Sequence, residues 1–126
     1  MFSHIMVGAS DINESKAFYD AVLGALGHNK GVIDEKGRCC YSTKLGMFLV
    51  SKPIDGKSVS HGNGSTIGFV AESAEMADAW HDAGLAAGGT AIEEPPGPRQ
   101  SGEGLIYLAY LRDPAGNKVC ALHRLA

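Results

Sequence analysis

The sequence predicts an α+β fold built from two similar halves, each with the order strand, helix, strand, strand, strand. A shift of 62 positions aligns Ala17–Gly27 with Ala79–Gly89, with six of eleven residues identical. The same shift aligns Phe2–Ser10 with Gly64–Glu72, two short apolar segments that each precede a helix. A junction rich in Gly and Ser, Ser51–Ser65, separates the two halves.

The length of the chain favours one domain. Its 126 residues suffice for a single hydrophobic core and are too few for two independent ones. Hydrophobic residues make up 44% and charged residues 20%, which favours a globular over a disordered chain. We therefore predict a single domain over residues 1–126, with repeats at about 1–56 and 63–126 and a linker between them.

Each predicted helix has one apolar face and recognisable ends. Asp11 and Ser73 are suitable N-terminal capping residues, and Gly27 and Gly88 are suitable stops. Side chains at helical spacing form the apolar faces, which predicts that both helices pack on a core. These residues are Phe18, Val22, Ala25 and Leu26 in the first helix and Met76, Trp80, Ala83 and Ala87 in the second.

Three strand candidates follow each helix. They are His28–Glu35, Arg38–Thr43 and Met47–Ser51 in the first half, and Thr90–Glu93, Leu105–Leu111 and Lys118–His123 in the second. Between two of these, Glu93–Gly104 contains three prolines and three glycines. This composition predicts an irregular lid, with Arg99 as an anion contact and Glu103 as a base only if the lid folds inward.

Charge and cysteine content exclude several partners. The formal net charge is -3 and the charged residues are scattered, so we expect neither nucleic acid nor a membrane surface as a partner. The N-terminus lacks the pattern of a signal peptide, and no apolar segment reaches membrane-spanning length. Three cysteines, two of them adjacent, are a poor disulfide framework, which favours the reducing cytoplasm.

Three stretches of the chain resemble the vicinal oxygen chelate superfamily, which includes glyoxalase, bleomycin-resistance proteins and extradiol dioxygenases. They are "FSHIMVGASDINESKAFYDAVLGALG", "HGNGSTIGF" and "YLAYLRDPAGNKVCALHR". The resemblance implies two βαβββ half-domains whose strands form a curved mixed sheet with an open cup. It also implies a small-molecule ligand in that cup and a homodimer.

The resemblance further implies a divalent ion held by a His on the first strand, a His on the fifth and a Glu on the last. The corresponding residues in this chain are His4, Thr66 and Cys120. Only the first keeps its ligand type, since a neutral hydroxyl and a thiol replace an imidazole and a carboxylate. We therefore expect no metal or other cofactor, with a divalent ion only if the nearby loop residue His61 supplies a ligand.

Strand alternation predicts which side chains share the cup. It places Cys120 on the cup side facing His4, and His123 on the opposite side. A hairpin that pairs Tyr110 with Cys120 would add the tyrosine to the same face, with Arg112 at the rim. The catalytic candidates are therefore His4, Cys120 and Tyr110. The Cys120 thiol is either activated by His4 or packed as an inert, small apolar side chain. The candidates for binding an anionic ligand are Tyr110, Arg112 and Arg99.

The sequence leaves two functions open. One is an enzyme of the glyoxalase class, a lyase, isomerase or dioxygenase that acts on a small oxygenated molecule with a degraded metal triad. The other is a metal-free protein that binds or sequesters a small molecule and catalyses no reaction. A shared fold does not decide between them, because one fold supports many functions.

Overall fold

The computed structural model describes residues 1–125 and contains two helices and nine strands. The first half comprises β1 (His4–Gly8), α1 (Ile12–Ala25), β2 (Val32–Ile33), β3 (Cys39–Thr43) and β4 (Gly46–Ser51). The second comprises β5 (Ile67–Val70), α2 (Ala74–Ala86), β6 (Thr90–Ala91), β7 (Gly97–Ser101), β8 (Gly104–Arg112) and β9 (Lys118–Arg124).

The strands form two mixed sheets with the same order. The first sheet has the order β1-β4-β3-β2, and the second has β5-β9-β8-β6 with β7 also paired to β8. In each sheet the first and last strands of the half are parallel neighbours, and the other pairs are antiparallel. The predicted α+β class with paired βαβββ halves is confirmed. The proposed limits of the repeats within one domain stay a prediction.

The helices start at the predicted caps. The Asp11 side chain accepts a hydrogen bond from the Glu14 N–H at 3.1 Å, and the Ser73 hydroxyl accepts one from the Met76 N–H at 3.0 Å. Each bond satisfies one backbone donor that the first helical turn would otherwise leave free. Gly27 and Gly88, just beyond the two helices, have positive φ angles of 91° and 98°.

The predicted lid is wrong, because Gly97–Ser101 is the regular strand β7. It pairs antiparallel with β8 from Gly97 opposite Leu108 to Ser101 opposite Gly104. The prolines misled the prediction, since Pro98 is tolerated on a strand that has only one neighbour. Glu103 lies in the turn to β8, exposed and 3.4 Å from Arg124, so it does not fold inward as a base.

The core lies between the helices and one face of each sheet. Phe18, Tyr19 and Trp80 from the helices are fully buried against alternate strand residues such as Val50 and Val119. The opposite face of each sheet, which we call the open face, carries the intervening residues. The exposed apolar side chains on it include Met6 and Met47 on the first sheet and Val70 on the second.

A buried carboxylate ties the two halves together. Asp113 is 3% exposed and begins the β8–β9 turn. Its two oxygens accept hydrogen bonds from the N–H groups of Ala115 and Asn117, from the Asn117 amide at 2.8 Å, and from the Tyr19 hydroxyl of α1 at 2.6 Å. The same Asn117 amide donates to the Gly8 carbonyl at the end of β1. One side chain therefore fixes a turn of the second half against a helix and a strand of the first.

We expect Asp113→Ala to lower the free energy of unfolding by about 3 to 4 kcal/mol, because it leaves several buried donors without an acceptor. Tyr19→Phe removes one of these bonds and should cost about 1 to 2 kcal/mol. Urea denaturation measures both.

The matched control is Asp78→Ala, which removes an exposed carboxylate that accepts one bond, from Tyr107 at 2.6 Å. It should change the free energy of unfolding by less than about 1 kcal/mol. Equal losses for Asp113→Ala and Asp78→Ala would contradict the role assigned to the buried carboxylate.

Candidate functional site

A cleft of about 810 Å³ crosses the open face of the first sheet. Met6 and Gly8 of β1, Ser51 of β4 and Arg38, just before β3, line its sheet side. Strand alternation explains why Met6 and Ser51 face the cleft, because the side chains of their neighbours Val7 and Val50 face the core. Residues 52–55 and 58–60 form the opposite wall.

The junction between the halves is therefore a wall of the cleft rather than a simple linker. Gly8 permits this arrangement, because a Cβ at this position would lie 3.2 Å from Cγ1 of Val59 and 3.9 Å from Cγ of Pro53. A side chain at residue 8 would push the loop outward by at least a few tenths of an ångström. The loop accordingly lies directly on β1.

A second, smaller cavity of about 340 Å³ adjoins the cleft. The two share Met6, Val7, Gly8 and Ser60. The smaller cavity extends towards His61, Asn117 and Lys118, so its far side is more polar. The two cavities together connect the open face of the first sheet with the start of β9 in the second.

The three positions expected to correspond to metal ligands differ in exposure. His4 is exposed and its Nδ1 lies 2.8 Å from the Ser3 hydroxyl. Thr66 is exposed just before β5, whereas Cys120 is 5% exposed in the middle of β9. Gly68 is its partner on β5, and a Cβ there would lie 3.2 Å from the Cys120 sulfur. None of the three lines either cavity.

The donor chemistry does not fit the divalent ion that the resemblance implied. Burial raises the pKa of Cys120 to about 11, with the Glu93 carboxylate adding to the rise and Lys118 opposing it. The thiol is therefore protonated near neutral pH, whereas a metal ligand must be a thiolate. Among residues 1–125, no three His, Cys, Asp or Glu side chains are grouped so that they could hold a metal ion.

The predicted anion contacts are engaged with the backbone. Arg112 donates to the Gly116 carbonyl at 2.7 Å, and Arg99 donates to the carbonyls of Pro95 at 2.9 Å and Glu94 at 3.3 Å. These bonds hold the β8–β9 turn and the segment before β7. Neither arginine lines a cavity, and a role in ligand binding stays a prediction for both.

Tyr110 lies beside Cys120 in the register of β8 and β9, as the sequence predicted. Lys118 places its ammonium 5.0 Å from the centre of the Tyr110 ring and forms a salt bridge with Glu93. Glu93 has φ 58°, a left-handed conformation that non-glycine residues rarely adopt. Burial raises the pKa of Tyr110, so its hydroxyl stays protonated at neutral pH.

Sequence reasoning missed the cations at the cleft. Lys36, Arg38 and Lys52 all line it. The only local signal is the spacing of Asp34 and Arg38, which form a salt bridge across the β2–β3 turn. Nothing in the sequence shows that the loop after β4 folds back to bring Lys52 to the same cleft.

A model of the Glyoxalase/Bleomycin resistance protein/Dioxygenase superfamily matches residues 1–121. The chain belongs to this superfamily. The match covers both halves of the fold and confirms the resemblance to the vicinal oxygen chelate superfamily that the sequence motifs indicated. A comparison with curated proteins finds no match. No helix within residues 1–125 is long and apolar enough to span a membrane.

Solved structures of the superfamily share the architecture. A glyoxalase/bleomycin resistance protein from Albidiferax ferrireducens T118 is 56% identical, with a TM-score of 0.96 over 98% of this chain and 99% of that one. A glyoxalase-related enzyme from Fulvimarina pelagi is 15% identical, with a TM-score of 0.75 over 98% and 88%. A lactoylglutathione lyase from Agrobacterium tumefaciens is 22% identical, with a TM-score of 0.66 over 98% and 92%. At these low identities, the last two show only a common fold.

We expect Cys120 to react slowly with iodoacetamide at pH 7.5, because the thiol is buried and its pKa is raised to about 11. Cys40, which is partly exposed, should react first, and buried Cys39 should react slowly like Cys120. Mass spectrometry of peptides over a time course measures the three rates.

Protein unfolded in urea is the control, in which all three cysteines should react at similar rates. Rapid labelling of native Cys120 that becomes slow in His4→Ala would instead show a thiolate activated by that histidine.

Proposed function

We propose that this member of the superfamily binds a small molecule in the cleft on the open face and does so without a metal ion. The observation that carries the proposal is the cleft itself. Its volume of about 810 Å³ lies within the range of about 300 to 1,000 Å³ typical of ligand sites. It also combines apolar side chains, such as Met6 and Val59, with polar and charged groups at its edges.

Binding is favoured over catalysis because the catalytic candidates lie apart from the cleft. His4, Cys120 and Tyr110 line neither cavity, and the Cys120 thiol is not activated. The donor set at the positions expected to hold the metal does not suit a divalent ion. A lyase, isomerase or dioxygenase role therefore has no supporting group of residues, whereas a binding or sequestration role requires only the cleft.

Gly8→Leu should block ligand binding, because the new side chain occupies the space between β1 and Val59. We expect a fragment library of neutral, anionic and cationic compounds, screened by protein-observed NMR, to shift resonances of residues 6–8 and 51–60. The variant should weaken these ligands by about tenfold or more. Treatment with EDTA should leave the affinity unchanged.

The control is Gly24→Ala, since a Cβ at position 24 of α1 meets no atom within 4 Å. It should bind the same fragments as the wild type. Fragments that bind elsewhere, or binding that EDTA abolishes and Zn²⁺ or Mn²⁺ restores, would refute metal-independent binding in the cleft.

We also infer that the protein is a homodimer and works in the cytoplasm. Large apolar side chains outside the cleft remain exposed, with Phe2, just before β1, 69% exposed and Val70 of β5 78% exposed. Burying such side chains against a second copy is favourable. All three cysteines, which lie within the described residues, are free thiols, as suits a reducing compartment.

Sedimentation equilibrium should give twice the mass of the chain, and Val70→Lys should lower the association constant by placing a charge in the interface. Leu45→Lys is the control, because this residue is 94% exposed and lies in the turn between β3 and β4. A monomer at high micromolar concentration would exclude the dimer.

A further inference from the structure

We propose that the ligand is an organic anion with an apolar body, and that Arg38, aided by Lys36 and Lys52, binds its acidic group. This inference rests on the proposed function, since it assigns a chemical class to the molecule in the cleft. The acidic group would be a carboxylate or an oxyanion of similar geometry, such as a phosphonate or a sulfonate.

The charge of the cleft is opposite to that of the whole chain. The protein has a formal net charge of -3, yet three cations and a single acid, Asp55, line the cleft. The Asp55 carboxylate accepts a hydrogen bond from the Lys57 N–H at 3.0 Å. Within residues 1–125, neither Lys36 nor Lys52 forms a salt bridge. With the Asp34 carboxylate that pairs with Arg38 also counted, three cations face two acids, and the remaining excess of one positive charge attracts anions to the cleft.

The β2–β3 turn holds Arg38 in place. One oxygen of Asp34 accepts hydrogen bonds from the N–H groups of Lys36 and Arg38, each at 2.9 Å, and the other accepts from Nε of Arg38 at 2.7 Å. The N–H of Arg38 lowers the pKa of Asp34 below its ordinary value. The carboxylate is therefore ionised at neutral pH and keeps the guanidinium in position.

This arrangement leaves the outer part of the guanidinium available. Asp34 bonds Nε only, and no other residue in 1–125 accepts from the two terminal nitrogens of Arg38. Two parallel N–H groups in one plane match the two oxygens of a carboxylate. A side chain held at its Nε also loses less freedom on binding, because it is already positioned.

The apolar part of the ligand follows from the same cleft. Ile54 on the loop is fully exposed and Met6 on the sheet is 45% exposed, and both line the cavity beside the cations. The protein itself covers neither side chain fully. A ligand that combines a ring or chain with an acidic group would cover these side chains and neutralise the charge at once.

The inferred contacts differ from those the sequence predicted. Arg99 and Arg112 donate to backbone carbonyls and lie outside both cavities, whereas Arg38 lines the larger one. The anion is therefore assigned to the first sheet rather than the second. Comparing an Arg38 variant with an Arg99 variant distinguishes the two assignments.

The test compares 2-naphthoate with its neutral analogue 2-naphthamide by NMR titration of the full chain. We expect the wild type to bind the anion about tenfold more tightly or better, the effect of one charge-assisted hydrogen-bonded pair. Arg38→Met should remove this preference and leave the affinity for naphthamide unchanged. Arg38→Lys should retain part of it, because the charge remains and the paired N–H groups are lost.

Arg124→Met is the matched control, since this exposed arginine lies at the end of β9 outside both cavities. It should keep the full preference for the anion. Asp34→Asn, which removes the carboxylate that holds both Nε of Arg38 and the β2–β3 turn, should weaken naphthoate binding by a smaller factor than Arg38→Met. Thermal unfolding of each variant verifies that it is folded.

Three outcomes would overturn the inference. If the protein binds naphthoate and naphthamide equally well and Gly8→Leu abolishes both, the cleft is the binding site but has no preference for anions. Binding of naphthoate that Arg99→Met weakens and Arg38→Met does not would move the anion to the second sheet. Binding of neither compound at millimolar concentration would refute the assignment of the cleft to organic anions with an apolar body, and the wider fragment screen would then decide separately whether the cleft binds other ligands.

Discussion

The fold depends on the buried carboxylate of Asp113. It arranges the β8–β9 turn through backbone N–H groups and at the same time accepts a bond from Tyr19 in the first half. Burial of a charge is costly unless several donors satisfy it, and here four donors do so. Asn117 extends the contact to the Gly8 carbonyl, next to the cleft. The position of β1 beneath the cleft is therefore set from the second half of the chain.

The sequence predicted the parts of the fold that depend on local chemistry. The apolar faces of the helices, the caps at Asp11 and Ser73 and the pairing of Tyr110 with Cys120 all follow from spacing and alternation. The strand β7 was missed because its prolines are compatible with an edge position, which is a property of the assembled sheet. The spacing and composition of residues along the chain do not reveal which strand lies at the edge of a sheet.

The candidate site was harder to predict for the same reason. Strand alternation placed Cys120 on the open side but gave no measure of its burial, which depends on the packing of the assembled second sheet. The cleft depends on the return of residues 52–60 over β1, a contact that joins Val59 to Gly8 across 51 positions. Only the three-dimensional structure brings Lys52 beside Arg38.

The segment that connects the two halves also forms one wall of the cleft. An insertion or deletion there would reshape the cleft while leaving both cores and the Asp113 contacts unchanged, since loop length has a small effect on stability. Relatives with the same pair of half-domains can therefore differ in the compounds they accept through this one connection. Divergence of specificity would then be expected to appear first as variation in the length and composition of residues 52–66.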